Sequence, residues 1–510
     1  MLYWIPALAV ALMTPWYGRL YLHMLQLEGY KPVGLIHSFK RNALRALPMP
    51  VGIGAAAWLL GMLWPWAPLI ALVAGLGAWG ALVYRAPAKK PLVWTPRAKR
   101  LCACMALLVL GAAMLHAAAA VLLLPVLMLL AAALMWPIEQ AINRWYFDDA
   151  KKRLAARPEL IKIGITGSYG KTSAKFIVTA ILSEKYRVLT TPSSFNTPMG
   201  LTKVIRGDLK DEHEVLVAEM GARHRGDIAE LCELVKPGIG IITSIGYQHI
   251  ETFGNIETIA ATKNELIEAL PSDGTAVLAA DDGGWCDRLY GRKKPQKSLR
   301  AGISAGLDGL PLDVTARDLE VGAFGSRFVF ADAEGEIVCN TKLLGRHNIG
   351  NILICGAAAR ALGLSLEEIA RGIEKLEPVE HRLQLLPSAA GLIVIDDAFN
   401  ANPAGTRAAL EVLARFEKKK IIITPGLVEL GEREEAENHA FGRAMSGVCT
   451  DVILIGDKRA QSMRLGLLET GFNMDRVHIV ASLDQATSLL PGMTSPGDAV
   501  LFENDLPDHM

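Results

Sequence analysis

The run Thr166-Gly167-Ser168-Tyr169-Gly170-Lys171-Thr172-Ser173 has the residue types and spacing to hold phosphate oxygens. Glycines let the backbone approach an anion, and free N–H groups at a helix start form a nest for it. Lys171 would then neutralise β/γ-phosphate charge while the Thr172 hydroxyl would ligate Mg²⁺. The spacing departs from the common G-x-x-x-x-G-K-[ST] loop, because Ile165 stands where its first glycine would be. The bland alternative is an ordinary strand-to-helix turn with a surface lysine. The flanking elements favour use of ATP or GTP.

Those flanks are a β-branched run, Ile161 to Thr166, then a helical pattern from Ala174 to Tyr186 and a second strand-like run, Arg187 to Thr191. Strand, glycine loop, helix, strand is the setting in which a phosphate loop works. Val215 to Met220 reads as a buried strand that delivers Glu219 near the loop, where a carboxylate could ligate Mg²⁺ or simply pair with a neighbouring cation. Ile239 to Ile245 is the next strand, and His249 follows it. Taken alone, Asn196 could be a cap, His249 a structural histidine and Lys263, in the helical run Ile256 to Leu270, a solvated lysine.

In order, these pieces resemble the Mur ligase family of ATP-dependent amide ligases, and within it the branch that adds D-alanyl-D-alanine to a cell-wall precursor. The resemblance rests on Thr166 to Thr172, Asn196 to Gly200, Ala218-Glu219-Met220-Gly221, His249 to Gly254 and Ala261-Thr262-Lys263-Asn264-Glu265. It continues through Gly345 to Asn351, His381-Arg382-Leu383-Gln384, Ile395 to Pro403, Glu429-Leu430-Gly431-Glu432 and His439, so it covers about residues 160–450.

The resemblance implies that Thr166, Gly167, Ser168, Gly170, Lys171, Thr172 and Ser173 bind ATP phosphates, with Mg²⁺ held by Thr172, Glu219 and His249. Lys263 would be carbamylated, its new carboxylate supporting a second metal. Lys171, His249 and Lys263 would be the catalytic set. Asn348 and Asn351 would contact the adenine side, and Arg382 and Asp397 would reach the nucleotide from the hinge and the last domain. Asn196 and Asn400 would serve substrate binding, with Asp396 a weaker candidate. The implied chemistry is attack of a carboxylate on the γ-phosphate, then displacement of phosphate by an amine.

Two departures bear on the substrate. Family members begin with a soluble domain that grips uridine diphosphate, and here a different segment takes its place. The related branch tends to close on Lys-Gly-Ser, whereas this chain reads Leu501-Phe502-Glu503-Asn504-Asp505, acidic where a basic end is expected. Ser244 also replaces the usual asparagine before Ile245-Gly246.

The segment at the front is a different physical object. Of 510 residues, 51% are apolar and 21% charged, and the net charge of +1 argues against a nucleic-acid binder driven by bulk charge. Residues 1–150 hold 12 basic and four acidic residues, a net of +8, whereas the rest carries −7. Nine of the ten tryptophans precede residue 146. Residues 1–18, 46–84 and 101–138 contain no Asp, Glu, Lys or Arg. About 20 helical residues cross a bilayer once, so the three stretches predict one, two and two crossings. Pro65 and Pro68 mark the first reversal. The second is expected near 117–121, between His116 and Pro125.

Five crossings place the chain start outside and everything after residue 138 inside. Lys31, Lys40, Arg41 and Arg45 in one loop, and Arg85, Lys89, Lys90, Arg97, Lys99 and Arg100 in the next, then fall on the cytoplasmic side. Trp16, Trp64, Trp66, Trp136 and Trp145 fall near predicted helix ends, as in an aromatic belt. A cleaved signal peptide is disfavoured, because residues 1–18 lack a basic start and apolar segments keep coming. The seven cysteines are dispersed with no paired CxxC set for zinc, which suits a reducing compartment.

The expected architecture is therefore an α-helical transmembrane domain with linker over 1–157, a P-loop α/β domain with mostly parallel sheet over 158–383, and a Rossmann-like domain over 384–510. Residues 271–345 are expected to be a β-rich insertion or the far edge of the central sheet. The leading function is a membrane-anchored ligase, multipass in the plasma membrane. Its partners would be a UDP-linked or lipid-linked muropeptide, an amino acid or dipeptide, membrane lipids and membrane-bound cell-wall enzymes. Rival readings are a ligase acting on a lipid-linked peptide or a polyglutamate-like polymer, a transporter driven by a P-loop ATPase, and an inactive scaffold. Charge-free membrane stretches weigh against the transporter.

Overall fold

The computed structural model describes residues 4–30, 32–41, 48–62, 67–85, 91–192, 195–281, 283–286, 288, 297–303, 310–386, 388, 390–399 and 401–504. Asn400, Asp505, Pro65, Trp64, Trp66, Lys31, Arg45, Lys89 and Lys90, all named above, lie outside the described residues. The chain divides into two units, one over 1–146 with 508–510 and one over 147–507.

Every described element of the first unit is helical. Three helices are long and apolar enough to cross a membrane: Ala67–Arg85, Pro96–Leu122 and Leu124–Ala155. The stretch expected to make the first crossing is instead built from short pieces, Trp4–Leu12 and Thr14–Tyr17, and Pro48–Gly61 spans only 14 residues. Thr95 caps the helix that follows it by accepting the Ala98 N–H at 3.1 Å, and Pro96 sits at the first turn, where no N–H is needed. That helix breaks at His116, whose φ of −162° is extended, and a new one starts at Leu124. Arg100 donates two hydrogen bonds to Glu139, at 2.8 and 2.9 Å. Residues 39 apart therefore meet, and the chain must reverse near the middle of that interval, as expected. The exposed faces of these helices carry Leu107, Leu115, Val126 and Leu134, an apolar surface that suits hydrocarbon rather than water.

The second unit contains two sheets. The larger has the order β2-β3-β1-β4-β5-β6-β7-β8-β9, with β1 Ile161–Thr166, β2 Val188–Thr190, β3 Val215–Glu219, β4 Ile239–Ile242, β5 Thr275–Ala279, β6 Lys297–Gly302, β7 Val314–Val321, β8 Ser326–Asp332 and β9 Gly335–Thr341. It is parallel from β2 through β7 and antiparallel from β7 to β9, so residues 271–345 extend the far edge of the central sheet. Strand β3 is buried along its whole length, as a strand covered on both faces must be. The helices Lys171–Leu182 and Arg346–Ala361 cover one face, burying Ile177, Ile181, Ile352 and Cys355 with Ile163 and Ile165. Leu201, Val204 and Leu231 close the other face.

The smaller sheet runs β10-β11-β15-β12-β13-β14, with β10 Gln384–Leu386, β11 Ile393–Asp397, β12 Lys420–Thr424, β13 Asp451–Ile455, β14 Val477–Val480 and β15 Ala499–Glu503. Only β10 is antiparallel. The sequence indicates β11, β12, β13 and β15, whose apolar runs are continuous. It does not indicate β14, where Val477-His478-Ile479-Val480 is an edge strand with no fully buried residue.

Candidate functional site

Strand β1 ends at Thr166 in the middle of the large sheet, with β3 and β4 on either side. The loop that follows is shaped by two glycines that nothing larger could replace. Gly167 has φ of 151°, and a Cβ there would come within 2.1 Å of the Thr243 hydroxyl. Gly170 has φ of 77°, and a Cβ would meet the Asn351 amide at 2.7 Å. The loop is fastened to the end of β4: the Ser168 N–H donates to the Ser244 carbonyl at 2.8 Å, and the Tyr169 N–H to the Ser244 hydroxyl at 3.1 Å. Ser244, unusual in the sequence, thus holds the loop by its side chain. Ser168 donates its hydroxyl to the Gly246 carbonyl at 2.9 Å and Thr166 donates to that of Met220, also at 2.9 Å, so these two hydroxyls fix the loop's frame.

The helix Lys171–Leu182 starts directly from Gly170, and its first N–H groups point out over the loop. The Lys171 ammonium reaches back to the carbonyls of Gly167 and Ser168, at 2.7 and 3.1 Å. Burial lowers its pKa to about 8, against the pull of the Glu219 carboxylate. The glycine cradle, the helix start and the lysine together bring the free N–H groups and positive charge that phosphate oxygens require.

Glu219 is the hub beside this loop. One of its oxygens accepts from the Thr172 hydroxyl at 3.3 Å and from the Asn196 amide at 3.0 Å. The other lies 3.2 Å from the ammonium of Lys175, a lysine with 0% exposure one turn after Lys171. The sequence gives no sign of this pairing, because Lys175 reads as an ordinary helix lysine. Four expected site residues therefore gather here: Lys171, Thr172, Asn196 and Glu219. A hydroxyl and a carboxylate side by side are the donor set that a phosphate-bound Mg²⁺ requires. Among the described residues, no group of three or more His, Cys, Asp or Glu stands close enough to hold a metal by itself.

Lys263 lies on the helix Ile256–Glu268, 2% exposed, rather than in solvent as a lone helix lysine would be. Burial first, and Lys171 second, bring its pKa down to about 7. Among the described residues its ammonium makes no hydrogen bond or ion pair; its neighbour is the Phe253 ring at 6.0 Å. His249 sits in the left-handed region, φ 52°, and its Nδ1 lies 3.0 Å from a carboxylate oxygen of Glu429, which follows β12 of the smaller sheet. The His249–Glu429 contact therefore ties the two sheets' domains together.

Asn348 and Asn351 are buried on the helix Arg346–Ala361, and Asn351 lies against Gly170. Arg382 stacks over Phe399 at 5.0 Å. Asp397, at the end of β11, accepts the Leu383 N–H at 3.1 Å. A cavity of about 640 Å³ lies between Phe176, Ile177 and Ala180 on one side and the segment 376–382 on the other. A smaller cavity of about 130 Å³ is lined by residues that include Gly170, Ser173, Asn351, Arg382, Asp397 and Glu503. Ser173, Asn348, Arg382 and Phe399 border both, so the two chambers adjoin each other beside the phosphate cradle.

Residues 165–359 match the Mur ligase middle domain, and residues 381–503 match the Mur ligase glutamate ligase domain. The UDP-N-acetylmuramoyl-tripeptide–D-alanyl-D-alanine ligase of Mycobacterium tuberculosis is 33% identical over 364 residues, covering 67% of this chain and 69% of the relative. The chain belongs to the Mur ligase family. Mur ligases are ATP-dependent enzymes that form amide C–N bonds, and this chain is a MurF-like member. A crystal structure of MurF from Acinetobacter baumannii superposes with a TM-score of 0.63 at 25% identity, covering 71% of this chain and 77% of that one. MurF from Thermotoga maritima in complex with ADP gives 0.62 at 25% identity, covering 71% and 80%. In this Mur ligase, the glycine cradle and Lys171 thus lie in the domain of the family match that spans the phosphate loop. The apolar helices precede both matched domains.

Proposed function

We propose that the chain is a membrane-anchored, MurF-like ligase that joins D-alanyl-D-alanine, or an amine of similar form, to a carboxylate of a cell-wall precursor. The observation that carries this reading is the meeting of Lys171, Thr172 and Glu219 beside a cradle that admits only glycine. There an acceptor carboxylate oxygen attacks the γ-phosphorus and ADP leaves, giving an acyl phosphate. The amine then attacks the acyl carbon, and the tetrahedral intermediate collapses with loss of phosphate. Lys171 offsets charge on the transferring group, an electrostatic effect that is large in a water-poor site. Mg²⁺, when bound, supplies further charge neutralisation at the phosphates.

Thr172 and Glu219 are the residues we assign to Mg²⁺, with Asn196 and Lys175 fixing the carboxylate's orientation. Lys263 suits carbamylation because burial leaves much of it uncharged near neutral pH, the form that captures carbon dioxide. Its carbamate, with His249, would serve a second metal. Asn348, Asn351, Arg382 and Asp397 line the cavities that suit the nucleoside, and Asn196 and Asn400 belong to the acceptor side. The His249–Glu429 bridge supports a closed arrangement in which the incoming amine reaches the acyl phosphate.

Anchoring is supported by the three long apolar helices and by the basic loops, which favour catalytic domains on the cytoplasmic face of the plasma membrane and an outer N-terminus. The test is to supply ATP, Mg²⁺ and D-alanyl-D-alanine with either UDP-linked tripeptide or its lipid-linked counterpart, reading products by mass spectrometry. Mass gain on the soluble acceptor, absent in Lys171→Ala, supports a MurF reaction without the usual nucleotide-gripping domain. Gain on the lipid-linked acceptor alone supports the second reading, in which the helices replace that domain because the substrate is itself in the membrane. No gain on either sinks the proposal.

A further inference from the structure

The third strand of the smaller sheet's spatial order, β15, delivers a carboxyl group that the chain itself does not satisfy. Glu503 is its final residue and is buried. Neither side-chain oxygen finds an N–H or hydroxyl donor among the described residues. A buried acceptor without a donor is costly, and marks a place where a further donor belongs. The position is fixed rather than the start of a loose tail. The Asn504 N–H donates to the Asp397 carbonyl at 3.1 Å, and the Ala401 N–H donates to the Asn504 side chain at 3.3 Å. The Asn504 amide in turn donates to the Gly426 carbonyl. Three segments of the domain thus hold the strand end.

Glu503 borders the smaller cavity, where its ionisable neighbours are Asp397, Arg382, His347 and Tyr169. Asp397 accepts the Leu383 N–H and feels the Arg382 charge, so its own charge is answered. Burial first, and Arg382 second, hold the pKa of His347 down at about 4, which leaves that ring neutral. Tyr169 donates its hydroxyl to the Tyr247 carbonyl at 2.9 Å. Sharing a proton with Asp397, its register partner, engages one oxygen of Glu503 and leaves the other an open acceptor. A further cation would crowd Arg382 in a cavity of about 130 Å³, whereas an uncharged hydroxyl donor meets no such repulsion.

The place of the cavity identifies that donor. Gly170 and Ser173 of the phosphate cradle line it, and Ser173, Asn348, Arg382 and Phe399 border the larger chamber as well. A nucleotide with phosphates in the cradle and its base against Phe176 and Ile177 carries its sugar past the join of the two chambers. The sugar's vicinal hydroxyls are neutral donors, the kind that Glu503 lacks.

We propose that Glu503 accepts a hydroxyl of the ATP ribose and thereby selects ribonucleotides over deoxyribonucleotides. The proposal rests on the ATP-ligase reading above and adds a residue to its nucleotide site. A lysine at this end of the chain, as the related branch tends to carry, has donors only and could not make the contact.

Calorimetric binding to the full chain, without acceptor, of ATP and of ATP lacking one or the other ribose hydroxyl tests this. At least one deoxy analogue should bind roughly tenfold or more weakly than ATP, the loss of one hydrogen bond to a charged group. Glu503→Ala should weaken ATP by the same factor and leave that analogue unaffected, because the contact is already missing there. Glu503→Met, which fills the volume without an acceptor, should do the same and decides the matter where the alanine variant does not fold. Equal affinity for all three nucleotides in the parent overturns the proposal. So does a variant that weakens all three alike, the mark of a merely structural role. Discrimination that survives in both Glu503 variants and is lost in Asp397→Asn assigns the hydroxyl to Asp397 and overturns it too. A parent that binds no ATP sinks the ATP-ligase reading first, and this inference with it.

Discussion

Asp397 and Glu503 are direct register partners on the parallel strands β11 and β15, two carboxyl groups side by side at the border of the smaller cavity. Glu503 is 1% exposed and finds no N–H or hydroxyl donor among the described residues, so the pair is satisfied there only while one member holds a proton. Burial raises the Asp397 carboxyl to about 6, against the help of the Leu383 N–H and Arg382. Burial and the Asp397 charge hold Glu503 well above the usual carboxylate range.

The sign of the consequence follows from linkage. Both groups bind protons more tightly in the folded state than in the unfolded one. The folded state is therefore favoured at low pH and loses stability as pH rises above the unfolded value of about 4. The melting temperature of the catalytic unit within the whole protein should fall as pH rises from about 4 to 6, the window set by Asp397, and go on falling above it for as long as Glu503 keeps its proton. Glu503→Gln removes one of the two competing carboxylates and should raise stability at pH 8 by roughly 1–3 kcal/mol. A variant that melts with the same pH slope as the parent would contradict this.

Lys175 and Glu219 form a buried pair, and removing one partner leaves a charge without compensation. Lys175→Met should cost about 3–5 kcal/mol in denaturant unfolding, whereas an exposed pair would cost less than about 1 kcal/mol. Lys175→Met combined with Glu219→Gln should recover part of that loss. If the double variant is no more stable than the single one, the pairing is not the cause.

The cradle glycines predict a loss that falls mainly on nucleotide binding. Gly170→Ala places a methyl against Asn351 in a backbone conformation that alanine adopts at a cost of about 1 kcal/mol. ATP affinity measured by calorimetry should drop at least about tenfold, the equivalent of one lost charged hydrogen bond. The melting temperature without nucleotide should fall by only about 2–4 °C, the equivalent of that backbone cost. Unchanged affinity would remove the loop from the nucleotide site.

Lys263 makes a pH-dependent prediction of opposite sign. Its depressed pKa of about 7 means that the uncharged amine, the form able to capture carbon dioxide, is lost as pH falls below that value. Ligation should therefore weaken steeply between pH 7.5 and 6 and respond to added bicarbonate. Lys263→Ala should lose at least about 100-fold in rate, as expected for loss of a group acting only in the transition state. Short carboxylic acids should partly restore it. A variant of near-normal rate would refute the assignment.

The alternation of strand and helix patterns, the phosphate loop and the family of the catalytic domains are legible in the sequence, because they depend on local runs. Ile161 to Thr166 is apolar and β-branched, and the residues after it must be glycine wherever φ turns positive. The break near the middle of 101–138 is readable for the same reason, although the stretch 1–18 forms shorter helices than its lack of charge suggests. Partners distant in the chain are not legible. Lys175 looks like any helical lysine until the sheet places Glu219 beside it. Glu503 looks like part of an acidic tail until β15 inserts between β11 and β12 and sets it against Asp397. Lys236 and Lys162 are 74 positions apart, and only the order β1-β4 brings their charges together. Sequence patterns determine which faces are apolar and where the backbone bends. The tertiary structure decides which charges are buried together, because burial and Coulomb energies depend on distance in space rather than along the chain.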